Sequence, residues 1–272
     1  MSDKITVLMS VYNGMPHLAE AVDSIVKQSL ADFEFLIIDD QSDDGSREYI
    51  REIARKDKRI RLEVNAKRQG LGKNLKKGVE LASGKWIARM DADDIAMADR
   101  LEKQHNFVQK YPQTDILGSY AIDIDEQGNE IGLRTMPCSH DDIVKYIWTC
   151  PIIHPTAFIK KDALLAIGNY GDEPRRQDYA LWFRAAKSGL NFANLPEVLL
   201  KYRYADEYFK KNNLKALVGQ AKIGWQGCKS LDLTPVAYIG VCVPLIKGIM
   251  PRPCARFVSG MISRFDPRRK QV

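Results

Sequence analysis

"FEFLIIDDQSDDGSREYIREIARK", residues 33–56, is where the fold can be read. Its first six residues form an apolar run of strand length that stops at Asp39 and Asp40. From 42 to 55 the period becomes helical, with Tyr49, Ile50 and Ile53 on one face. A continuous apolar strand feeding a helix is the repeating unit of a parallel sheet covered on both sides. Outward from this stretch the unit recurs. Residues 5–11 read as a strand, followed by a helix with Leu18, Val22, Ile25 and Val26 on its inner face. Residues 59–64 read as a third strand, followed by a helix presenting Leu71, Leu75 and Ala82. Residues 85–90 read as a fourth strand that ends at Asp91. The fold class is therefore α/β, and ligands of such sheets bind beyond the carboxyl ends of the strands. Polar clusters occupy three of those ends: "SVYNG" from Ser10, "DDQSDDGS" from Asp39 and "DADD" from Asp91. Right-handed crossovers predict that all three converge on one rim.

After Pro112 the rhythm changes. "SYAIDIDEQGNEIGLRT" predicts two strands around a Gly128 turn, "SHDDIVKYIWTC" a helix capped by Ser139, and "HPTAFIKK" a further strand. "QDYALWFRAAKSG" predicts a helix stopped by Gly189, and 206–230 is helical in pattern. The second half is mixed rather than doubly wound, and is expected to supply a second wall to the same cleft.

The chain has 272 residues, 45% hydrophobic and 28% charged, enough for a substantial buried core. Its five cysteines, Cys138, Cys150, Cys228, Cys242 and Cys254, lack any CxxC pairing, which excludes a disulfide framework and a zinc site and favours a reducing, cytosolic setting. The first apolar run, residues 5–9, is too short for a secretory signal. Charge is uneven: residues 1–200 carry 27 Lys/Arg against 31 Asp/Glu, and residues 201–272 carry 14 against 4. "VAYIGVCVPLIKGIM" spans fifteen residues with Pro244 and Lys247 inside it, short of the roughly 20 that a bilayer crossing needs. Beyond it Arg252, Arg256, Arg264, Arg268, Arg269 and Lys270 interleave with apolar residues such as Phe257 and Phe265. That pattern predicts a basic amphipathic segment on an anionic membrane surface, with a helix packed on the domain as the alternative.

Aspartates crowded at a strand end repel one another and lose hydration unless something compensates them. Hard oxygen ligands select Mg²⁺ or Mn²⁺, and Mg²⁺ is commonly held by one or two carboxylates plus substrate phosphates. A metal-bridged diphosphate follows, although Asp-rich turns also occur with no ion at all. Neither GxxxxGK[ST] nor GxGxxG follows the first strand, so no phosphate loop of those kinds is present. "RQGLGKN", residues 68–74, offers Lys73 and backbone N–H groups near a helix start.

Four stretches in this order, "ITVLMSVYNGMPHLAEAVDSIVKQSLADFEFLIIDDQSDDGS", "GLGKNLKKGVELASGKWIARMDADDIAMADRL", "HPTAF" and "QDYALWFRAA", closely resemble family 2 glycosyltransferases over roughly residues 4–205. The resemblance implies a Rossmann-like, nucleotide-sugar-binding domain of the A type with a mixed central sheet, and inversion at the anomeric carbon. It implies a catalytic domain over 1–205, with a nucleotide half (1–112) and an acceptor half (113–205), and a helical, basic extension over 206–272. Carried over, Ser10, Val11, Tyr12 and Asn13 line the nucleotide pocket with Lys73, Asp40 accepts from a pyrimidine N3–H, and Asp91 and Asp93 end the DxD. Asp93 and Asp94 are the metal candidates. The family's acidic pair falls on Gln177 and Asp178, so only the second acid is kept, and Asp178 takes the role of general base. Its alternative role is to cap the helix that follows.

Acceptor contacts are expected from His154, Arg176, Gln177 and Trp182, with Arg175 beside them. A core position is the alternative for the histidine and the tryptophan, and solvation for the arginines. The expected activity is metal-dependent, inverting transfer from a UDP-hexose or UDP-N-acetylhexosamine to a glycan hydroxyl. The acceptor is expected to be a lipid-diphosphate-linked intermediate of surface polysaccharide, met at the inner face of the cytoplasmic membrane, with no nucleic-acid partner. The competing readings are a sugar-1-phosphate nucleotidyltransferase, which would carry a Gly- and Arg-rich loop in place of "SVYNGMPH", and a non-catalytic nucleotide-binding or membrane-scaffold protein.

Overall fold

The computed structural model describes residues 4–173, 175–204 and 214–250. The first half follows the predicted rhythm: β1 (Ile5–Val11), α1 (Leu18–Val26), β2 (Phe33–Asp39), α2 (Ser46–Lys56), β3 (Ile60–Val64), α3 (Leu71–Leu81) and β4 (Trp86–Met90). β1 is central, pairing in parallel with β2 and with β4, and β3 adds in parallel outside β2. Val11 lies opposite Asp39 and Met9 opposite Met90, so the carboxyl ends of the three strands finish nearly flush. The three polar clusters therefore share one rim, as the crossover rule requires.

Side chains along β1 alternate between two cores. Val7 and Met9 join Phe35, Ile37 and the inner faces of α1 and α2, while Leu8 joins Leu36, Leu75 and Val79 under α3. Burial on both faces is why β1, β2 and β4 read as nearly continuous apolar runs, interrupted by Thr6, Ser10, Glu34 and Arg89.

α2 begins at Ser46 rather than at 42. Residues 42–45 are held out of the helix by Asp39, whose Oδ1 accepts from the Ser42 N–H at 3.2 Å, and by Gly45 at φ 94°.

Beyond β4 the sheet becomes mixed. β5 (Ile95–Ala96) and α4 (Arg100–Lys110) lead to the hairpin β6 (Ile116–Ile124) and β7 (Glu130–Arg134), then α5 (His140–Lys145), on which Ser139 accepts from the Asp142 N–H. "HPT" forms a 3₁₀ turn, so β8 (Phe158–Lys160) is shorter than the sequence pattern predicts, and α6 (Lys161–Ala166) follows at once. α7 (Gln177–Lys187) and β9 (Phe192–Arg203) complete the sheet, whose order is β3-β2-β1-β4-β8-β6-β9-β5 with β7 on β6. β9 carries Pro196 where its register against β6 slips between Ser119 and Tyr120, the irregularity a strand proline requires.

The chain then forms a helical pair, α8 (Leu214–Ser230) and α9 (Pro235–Ile249), with Pro244 inside the second helix. Gly224 and Gly227 let α8 come close: a Cβ on Gly227 would enter the Phe183 ring, and one on Gly224 would meet Val241 and the Tyr179 hydroxyl. No helix among the described residues is long and apolar enough to cross a membrane. Cys254 and the basic run from Arg252 to Lys270 lie outside the described residues, and no disulfide links the described cysteines.

Candidate active site

The rim is built where β1, β2 and β3 end. Asp40 is buried, and the N–H groups of Gln69 and Gly70 donate to it at 2.8 and 2.7 Å, as does Asn65 Nδ2 at 2.8 Å. Burial opposes its charge, but these bonds outweigh burial and hold the carboxyl below its ordinary range. Asn65 also donates to Asn74 Oδ1 at 2.7 Å, and Asn74 Nδ2 donates to Ser10 Oγ at 2.9 Å. One chain of hydrogen bonds thus ties the ends of three strands to the start of α3.

Past Val11, which is buried, Asn13 adopts φ 49° and its side chain exchanges two hydrogen bonds with Asp43, at 2.8 and 3.0 Å. Tyr12 is 42% exposed, with the Arg68 guanidinium 3.6 Å from its ring centre. Lys73 is exposed in the first turn of α3. Ser10, Tyr12, Asn13 and Asp40 are therefore neighbours along one edge.

At the end of β4, one oxygen from each of Asp91, Asp93 and Asp94 falls within 4.8 Å of the others. Asp91 is ion-paired with Arg89, whose side chain is buried inside β4. Asp94 is buried; its Oδ1 accepts the Arg203 N–H at 2.8 Å, and its Oδ2 is buried with no partner. Burial, then the charges of Asp91 and Asp93, push Asp94 well above the carboxylate range. Asp93 is solvent-exposed, yet the protein crowding it strips hydration, and with the Asp91 charge lifts it to about 6. Three hard oxygen donors, one of them orphaned and buried, fit a divalent cation.

The turn that presents these acids is held from behind. The Arg203 guanidinium donates to the carbonyls of Asp93 (2.9 Å), Asp125 (3.0 Å) and Glu126 (3.1 Å) and to Glu20 Oε2 (2.7 Å). Arg100, fully buried, donates to the Arg89 carbonyl at 2.7 Å.

The second wall is the start of α7. Arg176 occupies the N-cap position at φ 60°, so Asp178 lies in the first turn and is not the cap. Asp178 is half-buried, with Cys150 Sγ 4.0 Å from its Oδ2. Tyr170 is buried in the core with Trp182 and Tyr179. Burial pushes its phenol far up, Arg89 opposes this, and the charges of Asp178 and Asp91 both add to it, so one buried ring senses both acids. Tyr170 Oη is 2.9 Å from His154 Nε2. Burial and the Arg89 charge drive the His154 imidazole well below its ordinary pKa and keep it neutral. Trp182 has no exposed surface and stands edge-on to His154 at 6.0 Å. Gln177 is buried as well, whereas Arg176 is half-buried and Arg175 exposed. The structure therefore leaves Asp178 half-buried in the first turn of α7 and sets His154 and Trp182 in the core behind it.

Sequence reasoning missed Arg89, Arg203, Tyr170 and the Asn65–Asn74 pair. Arg89 had a signal, a cation inside the apolar run "WIARM". The others had none.

A parallel half with an acidic rim, continued by mixed strands β5 to β9, defines a glycosyltransferase fold of the A type. The sequence profile described as Glycosyl transferase family 2 matches residues 6–168. The chain belongs to glycosyl transferase family 2. It is 31% identical over 252 residues, 91% of this chain and 90% of the other, to the putative glycosyltransferase EpsE of Bacillus subtilis. It is 30% identical over 229 residues, 82% and 83% of the two chains, to an Escherichia coli UDP-Gal:alpha-D-GlcNAc-diphosphoundecaprenol beta-1,3-galactosyltransferase. The crystal structure of S. aureus TarS 1-349 in complex with UDP-GlcNAc is alike in fold, with a TM-score of 0.69 at 16% identity, covering 90% of this chain and 71% of that one.

Proposed function

We propose that this glycosyltransferase moves a hexose or N-acetylhexosamine from a UDP donor to a hydroxyl of a lipid-diphosphate-linked glycan, with inversion, during surface polysaccharide assembly. One observation carries the reading: three carboxylates, of Asp91, Asp93 and Asp94, gathered within 4.8 Å at the end of β4 on the nucleotide rim. The donor is supported by the UDP-GlcNAc bound in the TarS complex, and the acceptor by the E. coli relative named for GlcNAc-diphosphoundecaprenol.

In this reading Ser10, Val11, Tyr12, Asn13 and Asp40 receive the nucleoside, with Lys73 near its phosphates and Asp91 and Asp93 below them. Asp93 and Asp94 hold Mn²⁺ or Mg²⁺, which when bound offsets the charge building on the diphosphate leaving group. Asp178 takes the proton of the acceptor hydroxyl as that oxygen bonds to C1 and the bond from C1 to the diphosphate oxygen breaks. Arg176 and Gln177 flank the acceptor. His154 and Trp182 support the wall from within. Residues 1–205 form the catalytic unit, and 206–272 a basic extension that keeps the enzyme at the inner face of the cytoplasmic membrane. The test is a donor panel of UDP-Glc, UDP-Gal, UDP-GlcNAc, UDP-GalNAc and dTDP-Rha, scored by thermal stabilisation with and without Mn²⁺. A metal-dependent response to a UDP-sugar is expected; silence towards all five would overturn the reading.

A further inference from the structure

The outer faces of α8 and α9 are not those of ordinary surface helices. Along α8 the residues Lys215, Val218, Lys222, Trp225 and Lys229 recur at alternating steps of three and four, and all are exposed. They form one stripe in which cations alternate with apolar groups. Along α9, Val236 and Ile239 are 66% and 67% exposed, and Ile246 lies on the same side. Neither helix contains an acidic residue. Trp225, 51% exposed, packs edge-on against Tyr238 at 4.8 Å, which joins the two helices along this surface.

The inner faces of the same helices fix the pair to the acceptor wall. α8 packs on α7 through Gly227 and Phe183. α9 lies on Trp148, whose ring occupies the space a Cβ on Gly240 would need. The Trp148 carbonyl accepts from Tyr179 Oη at 2.7 Å, one residue beyond Asp178. A groove of about 340 Å³ between Lys145, Trp148, Leu233 and Val236 opens beside this contact.

We propose that the α8–α9 pair is a membrane-docking face that seats the enzyme on anionic phospholipid with the Asp178 wall close to the bilayer. Lysines at regular intervals meet headgroup phosphates, while Trp225, Val236 and Ile239 enter the boundary between headgroups and acyl chains. A second copy fits this surface poorly, because a two-fold pairing would set like-charged lysine stripes against each other. A nucleic acid would leave the uncharged stripe of α9 uncovered. The proposal rests on the lipid-linked acceptor read above, and it locates the membrane contact on this helix pair rather than on the tail alone.

The test is co-sedimentation of the full chain with vesicles of phosphatidylcholine alone and of phosphatidylcholine mixed equally with phosphatidylglycerol. Wild-type protein is expected to bind the mixed vesicles alone. Each lysine near an anionic surface contributes about fivefold, so Lys222→Gln with Lys229→Gln is expected to weaken binding about 25-fold. Ile239→Glu is expected to weaken it independently. Thermal unfolding and vesicle-free hydrolysis of the UDP donor should be unchanged in these variants. That hydrolysis assay stands apart from sedimentation, so loss of the catalytic reading and loss of the docking face are separately visible. Three results would overturn the proposal: wild-type protein that ignores the mixed vesicles, lysine variants that bind like wild type, or a dimer in solution that Ile239→Glu dissociates while vesicle binding persists.

Discussion

The backbone N–H of Arg203 donates to Asp94 Oδ1 at 2.8 Å, and the guanidinium of the same residue donates to the Asp93 carbonyl at 2.9 Å. One residue at the end of β9 thus sets the orientation of two candidate metal ligands. Arg203→Met keeps the N–H and removes the guanidinium. Losing such an outer support weakens metal binding by about 10- to 100-fold, which Mn²⁺ titration followed by electron paramagnetic resonance will read. Activity should return at saturating Mn²⁺. Unchanged Mn²⁺ affinity would show that the turn holds its shape without this anchor.

Asp178→Asn removes a base without changing volume. A positioned base contributes about 10²- to 10⁴-fold, so kcat should fall by that factor while UDP and Mn²⁺ still stabilise the fold against heat. Transfer at the wild-type rate would assign the proton to another group.

Metal affinity should depend on pH. Asp93 holds its proton up to about 6, and burial with the charges of Asp91 and Asp93 raises Asp94 well above the carboxylate range too. A cation must displace these protons, so Mn²⁺ affinity measured by calorimetry should weaken by about tenfold per pH unit for each proton released. The stability consequence has a definite sign. The folded pKa of Asp93 lies above its reference of 3.8, so its charge disfavours the metal-free fold above about 6, and the penalty fades as pH falls towards that reference. Asp93→Asn should therefore raise the metal-free melting temperature at pH 8 and reduce the stabilisation by Mn²⁺. A lower melting temperature for this variant would contradict the crowding of charge described here.

His154 makes the opposite prediction. Its folded pKa is depressed below the unfolded value of 6.5, so its contribution is present above 6.5 and is lost as pH falls and the unfolded chain takes up the proton. Between pH 7.5 and 5.5 the wild-type protein should therefore lose stability. Urea unfolding at the two pH values should show that difference in wild type and not in His154→Gln, whatever the absolute stability of the variant. Equal pH dependence in both would mean that the imidazole accepts its proton in the fold.

The parallel half could be read because its information is local. Buried strands are apolar at most positions, the helices repeat their inner residues every three or four, and the acids at Asp39 and Asp91 mark where the apolar runs end. Even there the start of α2 was misread, since Asp39 and Gly45 hold the preceding turn out of the helix. β9 escaped notice for a related reason: Pro196 breaks the pattern that would announce a strand, and only pairing along β6 carries the chain past it.

Residue types and their order were enough to name the family and to single out the acids of the candidate site. Which of them face one another is a matter of distance in space. Asp94 meets Arg203 across 109 positions of sequence, Tyr170 meets His154 across 16, and Trp182 is turned inward by the packing of α7. No local period encodes such contacts, because they arise only when segments that are marginal on their own bury their apolar faces against each other.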